Sequence, residues 1–195
     1  MEQYVITISR QFGSMGRSIA RELSEILGIE FLDRDIVEAT AKRMGLPVSV
    51  ISDEEESMKS TFFRRQYPLG MGMSSLKDEI FLTQKNIIRD FAAKGSCIIV
   101  GRCADYILKE YNPFRIFIYA DMESKIKRCR EKGPKDEKLS DKELRQKIVG
   151  IDKKRSKYYE FYTGHSWGDK LNFDLCINTT QTIIKQIVPV IAKLF

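Results

Sequence analysis

Residues Tyr4 to Gly28 read YVITISRQFGSMGRSIARELSEILG. A β-branched run, Val5-Ile6-Thr7-Ile8, gives way to a glycine-bearing loop that ends in Gly16-Arg17-Ser18. From about Arg17 to Leu27 apolar residues recur at Ile19, Ala20, Leu23, Ile26 and Leu27, the spacing of a helix with one buried face, and Gly28 closes it. A strand, a glycine loop and a helix in that order turn free backbone N–H groups toward an anion at the helix start. The segment therefore points to phosphate binding.

The same alternation continues down the chain. Short apolar strands are expected at Glu30–Leu32, Cys97–Val100, Arg115–Ala120 and Asp174–Asn178. Helices are expected after Asp33, from Ser74 or Ser75 to Lys94, over Met122–Glu131, over Ser140–Tyr159 and over Thr180–Leu194. Pro189 should kink the last helix or break it. Ser49 to Ser75 is the least regular part, with an acidic cluster at Asp53–Glu56, the run Phe62-Phe63-Arg64-Arg65 and a glycine- and methionine-rich turn at Leu69–Met73. Strands separated by helices argue for a parallel sheet with helices on both faces, and ligands then bind at the carboxyl ends of the strands. The loops on that edge begin at Ser9, Asp33, Gly101 and Asp121, with Arg102 next to Gly101.

A chain of 195 residues with 43% hydrophobic content can bury one sizeable core, so a single domain is expected. The net charge of +6 suits a polyanionic ligand, and basic residues are dense between Lys125 and Lys157. None of the four cysteines forms a C-x-x-C pair and His165 is the lone histidine, which argues against a zinc site and for reduced, buried thiols at Cys97 and Cys176. The opening lacks a basic segment followed by an apolar one, and no stretch approaches the roughly 20 apolar residues of a membrane helix. A cytoplasmic protein with no membrane or nucleic-acid partner is expected. The methionines and aromatics around residues 58–73 leave a homodimer open.

The general phosphate loop is G-x-x-x-x-G-K-[ST]. Here residues 11–18 read QFGSMGRS. In one register Gln11 takes the first glycine and Arg17 the lysine. In a second, anchored on the strand, Gly16 falls at the lysine position. Both leave Ser18 where a hydroxyl reaches Mg²⁺, and neither supplies the lysine. Arg17 and Arg10 are the loop's candidate phosphate cations.

Together with the later segments FLDRDIV (Phe31–Val37), IIVGRCADYIL (Ile98–Leu108), RIFIYADMESKIKR (Arg115–Arg128) and the end from Asp152 to Thr179, the chain resembles the cytidylate kinase-like family. That family is a branch of the P-loop nucleoside monophosphate kinases. The resemblance implies a three-layer P-loop NTPase-type α/β fold with five parallel strands in the order 2-3-1-4-5. It also implies an acceptor-binding segment within about residues 33–95 and a helical lid within about residues 131–157. The implied activity is transfer of the ATP γ-phosphoryl, with Mg²⁺, to a nucleoside monophosphate or a similar small acceptor. By position, Gly13, Ser14, Gly16, Arg17 and Ser18 would hold donor phosphates and Asp33, Arg34 and Arg102 would face the acceptor. Arg128 and Arg130 would enter the lid, and Lys153 and Arg155 would close over the transferring group. Two departures stand out: the loop lysine is missing, and the turn that reads E-G-R-D in true cytidylate kinases is Val100-Gly101-Arg102-Cys103 here. A nucleotide-binding regulatory or nucleic-acid-associated module without turnover is the alternative that these departures favour.

Plainer roles stand beside the functional ones. Asp33 can N-cap the following helix, and Arg102 can be a buried arginine paired to a carboxylate. Lys153, Lys154 and Arg155 can form a solvated helix face. The run Tyr158, Tyr159, Phe161 and Tyr162 is read as core packing and His165 as a structural turn residue.

Overall fold

A computed structural model describes residues 3–56, 76–132 and 139–195. Its centre is a sheet of five parallel strands, β1 (Val5–Arg10), β2 (Glu30–Leu32), β3 (Cys97–Val100), β4 (Phe114–Tyr119) and β5 (Leu175–Asn178), in the order β2-β3-β1-β4-β5. The expected sheet and order are therefore present. Strand β1 runs through Arg10, two residues further than its apolar pattern indicates, because Arg10 stays in register with Ile118.

The central strands β3, β1 and β4 are largely apolar on both faces because both faces are covered. Ile6, Ile8, Ile98, Val100, Ile116 and Ile118 pack under α1 (Gly16–Leu27) and α8 (Ile184–Ala192). Val5, Cys97 and Ile99 point the other way, into a cluster with Ile36, Ile87, Ile88, Leu108 and Tyr159. Those residues come from α2 (Asp35–Met44), α4 (Leu76–Ala92), the turn after the short α5 (Ala104–Ile107), and α7 (Asp141–Thr163). Each fully buried isoleucine contributes about 1.5–3 kcal/mol relative to exposure. Among the described residues the hydroxyl of Thr7, in the middle of β1, has no hydrogen-bond partner.

Several local expectations change. The irregular region opens with a helix, α3 (Val48–Glu56), which places Ile51 in a small core with Val37, Ala41 and Ile80. Its remainder, including Phe62–Arg65, Leu69–Met73 and the serines expected to cap α4, lies outside the described residues. Helix α7 continues four residues past Tyr159 and ends at Gly164, while Ser140 caps it through a reciprocal bond with Glu143. Helix α8 starts at Ile184, four residues later than expected, after a turn in which the Asn178 side chain accepts from the Thr180 N–H and hydroxyl. Pro189 lies inside that helix without ending it. Cys97 is buried, but Cys176 is exposed because β5 is an edge strand, so the expectation of a buried thiol fails there. No described helix is long and apolar enough to cross a membrane.

Candidate active site

Parallel strands bring their carboxyl ends to one edge, and that edge gathers Arg10, Asp33, Gly101, Ala120 and Thr179 from separate parts of the chain. A cleft of about 910 Å³ opens above it. Its floor is the loop between β1 and α1, and Gly13, Gly16, Arg17 and Ser18 all line it. Asp33, Arg34, Val37, Glu38, Val48 and Ser52 form one wall, and Arg128, Leu144, Ile148 and Arg155 the other. A smaller chamber of about 210 Å³ adjoins it through Arg10, Arg102 and Arg155, with Ser9, Tyr158 and Trp167 behind them.

The loop is shaped by its own polar groups. Ser14 is fully buried and donates its hydroxyl to the Gln11 carbonyl at 2.8 Å, so that hydroxyl serves the loop and not the cleft. Gly13 and Met15 adopt left-handed backbone, with φ of 72° and 67°. A second left-handed run, Gly101-Arg102-Cys103 with φ of 79°, 59° and 55°, turns the chain sharply after β3 and sends Arg102 toward both cavities. Such a run costs about 1–2 kcal/mol for each non-glycine residue, strain of the kind that collects at working edges.

Asp33 is the main counter-charge. It is buried, accepts a hydrogen bond from Arg10 Nη2 at 3.3 Å and forms an ion pair with Arg17 Nε at 2.8 Å. It does not cap α2, whose cap residue is Arg34 without a side-chain bond. Burial, reinforced by the nearby Arg155, pulls the Arg10 guanidinium down to about 10, with Asp33 opposing the shift. Burial also lowers Arg102 and Arg155 from the ordinary arginine value. Cations held this close together out of water favour an anion between them.

Two helices grip the loop from its far side. Asp152 of α7 accepts the Phe12 N–H at 2.7 Å and pairs with Lys125 Nζ at 3.0 Å. Lys125, on α6 (Met122–Lys132), also donates to Gln11 Oε1 at 3.0 Å. Arg155, one turn on from Asp152, donates to the Arg10 carbonyl at 3.0 Å and lies 5.8 Å from the Phe12 ring centroid. The Phe12 ring enters a small core of Ile126, Leu144 and Ile148. Arg128 lines the cleft and donates to the carbonyls of Gly13 and Thr179, pinning the loop to the turn after β5.

The structure thus brings Arg10, Gly13, Gly16, Arg17, Ser18, Asp33, Arg34, Arg102, Arg128 and Arg155 into one place. It does not bring Arg130 or Lys153 there. Arg130 pairs with Asp141 on the surface, and Lys153 lies on the exposed face of α7. Of the aromatic run, Tyr159 is buried, Tyr158 and Tyr162 pack against Phe81, and Phe161 is exposed. Sequence reading missed Lys125 and Asp152. The signal available was the spacing Ile148, Asp152, Arg155, one face of a helix at i, i+4 and i+7. Among the described residues no group of His, Cys, Asp and Glu side chains is arranged to hold a metal ion by itself.

No curated protein matches the chain. Among solved structures, an uncharacterized protein from Eubacterium ventriosum is 28% identical, with 98% of each chain covered and a TM-score of 0.73. A shikimate kinase from Bacteroides thetaiotaomicron is 13% identical over 99% of this chain and 98% of its own, with a TM-score of 0.62. A shikimate kinase from Acinetobacter baumannii, in complex with shikimate, is 17% identical over 98% and 92%, with a TM-score of 0.56. At that identity the two kinases establish a shared P-loop kinase fold. The model of the cytidylate kinase-like family matches residues 5–181, and the strand-loop-helix opening, the Gly101-Arg102 turn and the arginine-lined cleft all lie within that span. The chain belongs to the cytidylate kinase-like family.

Proposed function

We propose that the protein is a phosphotransferase that moves the γ-phosphoryl group of ATP onto a nucleoside monophosphate or a similar small anionic acceptor. The observation that carries this reading is the convergence of Arg10, Arg17, Arg34, Arg102, Arg128 and Arg155 on one cleft at the strand ends. Phosphoryl transfer asks little covalent chemistry of the protein. It asks for in-line positioning and for cations around the transferring group. The loop and first turn of α1 would receive the donor's phosphates. Arg34 and Arg102, with the apolar Val37 and Val48 beside them, would receive the acceptor. An acceptor that already carries a phosphate suits that excess of guanidinium groups better than a neutral one.

The residues present fit ATP with Mg²⁺. Ser18 sits in the first helical turn on the cleft, and Mg²⁺ commonly takes few protein ligands beside substrate phosphates. Mg²⁺ bound there would neutralise charge on the donor's phosphates. Arg155 and Arg128 would hold the cleft closed and keep water out.

The second reading, nucleotide binding without turnover, is favoured by one observation: the loop has no lysine in either register. A coupled ADP-release assay across nucleoside monophosphates separates the two. The kinase reading expects at least one monophosphate to raise release well above the rate with ATP alone. If none does while ATP still binds, the second reading holds.

A further inference from the structure

The phosphate-loop pattern places a lysine six residues after its first glycine. Strand β1 ends at Arg10 and helix α1 begins at Gly16, so the strand-anchored register puts Gly16 at the lysine and Arg10 at that first glycine. The pattern's second glycine then falls on Met15. Its φ of 67° is the left-handed conformation a glycine there would adopt without strain. The chain has a cation where the pattern has glycine, and glycine where the pattern has its cation.

The exchange is also steric. A β-carbon on Gly16 would lie 2.5 Å from Arg10 Cβ and 2.9 Å from Arg10 Cγ. Arg10 Cβ is fixed by the strand backbone, so it cannot swing aside as a side-chain tip would. Further along, the guanidinium passes over Gly101, where a β-carbon would collide with Arg10 Nη1. Two glycines thus form a channel for this one side chain. The channel delivers the guanidinium to the boundary between the large cleft and the small chamber, against Asp33.

We propose that Arg10 is the phosphate-binding cation that replaces the loop lysine, and that position 16 is glycine because the stem of Arg10 fills the space its side chain would need. The proposal rests on the nucleotide reading above and adds the residue that carries the loop's missing charge. A planar guanidinium grips two phosphate oxygens at once, where an ammonium acts as a point. Asp33 serves as its counter-ion until an anion arrives.

The test uses the full chain, with ATP affinity read by equilibrium titration in the presence of Mg²⁺ and folding read by thermal melting. Arg10→Met should weaken ATP binding about tenfold or more, and Arg10→Lys should retain more affinity than Arg10→Met. Gly16→Lys alone should lower the melting temperature, because its stem meets Arg10. The reciprocal pair Arg10→Gly with Gly16→Lys should bind ATP more tightly than either single variant, as coupled neighbours do. A folded double variant that binds no better than Arg10→Gly overturns the proposal. If the double variant does not fold, Arg10→Met decides, and wild-type affinity in that variant overturns it. A wild-type protein that binds no ATP refutes the nucleotide reading itself, which is a different result from wild-type binding that survives the loss of Arg10.

Discussion

Replacing Asp152 by alanine removes the carboxylate that ties α7 to the phosphate loop. Three groups lose their partner: the Phe12 N–H at 2.7 Å, Lys125 Nζ at 3.0 Å and, more loosely, Arg155 Nη1 at 3.8 Å. The side chains of Lys125 and Asp152 are 5% and 15% exposed, so solvent cannot take over the lost bonds in place. Breaking a buried ion pair from one side costs about 3–5 kcal/mol, because the other charge is left uncompensated. Lys125 keeps its bond to Gln11, which sets the expectation at the lower end, about 3 kcal/mol. With a urea m-value of about 2 kcal/mol per molar, the unfolding midpoint should fall by about 1.5 M. Adding Lys125→Met should cost less than the sum of the single changes, since no charge then remains stranded. Urea unfolding followed by circular dichroism reads both numbers. A midpoint shift under about 0.5 M, or strict additivity, would refute the view that this pair holds loop and helix together.

Arg155 borders both cavities and bonds the Arg10 carbonyl, so Arg155→Ala should lower kcat by about 100-fold while changing ATP affinity far less; equal losses in steady-state rate and titration would argue for a purely structural role. Thr7→Val removes a buried hydroxyl that has no partner among the described residues and should raise stability by about 0.5–1 kcal/mol in a denaturant titration; a loss of stability would show that the hydroxyl is satisfied. Asp105 is buried and accepts from Tyr159 at 2.6 Å, and burial pushes its carboxyl above the ordinary value. The folded state then binds the proton more tightly than the unfolded state. Its contribution to stability is full below the unfolded value of about 4 and is lost as pH rises through the raised folded value. Asp105→Asn should abolish that decline, and unfolding free energies measured across the window that stay parallel to wild type would count against it.

The sheet was legible because its central strands are buried on both faces. Runs such as Cys97–Val100 carry no polar residue to confuse the reading, and the residue that follows each strand marks the working edge. The arginines of the site were legible for the same reason: Arg10, Arg34 and Arg102 stand at or just after strand ends. What escaped depends on tertiary contacts. Asp152 is one of several charged residues on a charged helix, and its burial follows from α7 lying over Phe12. Lys125 belongs to a run of lysines and arginines that resembles a solvated face until α6 packs against the loop. In the sequence Asp33 fits a cap or an acceptor ligand, and its pairing with Arg10 and Arg17 joins positions 23 and 16 residues apart that local pattern cannot connect. The start of α8 escapes a sequence reading because residues 178–182, with no helix breaker among them, form a hydrogen-bonded turn instead of its first turn.

The central proposal is that the cleft holds the anionic tail of a nucleotide. Calorimetric titration of the intact protein with a non-hydrolysable ATP analogue and Mg²⁺ tests it directly. The expected result is saturable binding at a single site that weakens as salt is raised and that inorganic tripolyphosphate displaces. No saturable binding at millimolar analogue, or binding that tripolyphosphate leaves untouched, would contradict it.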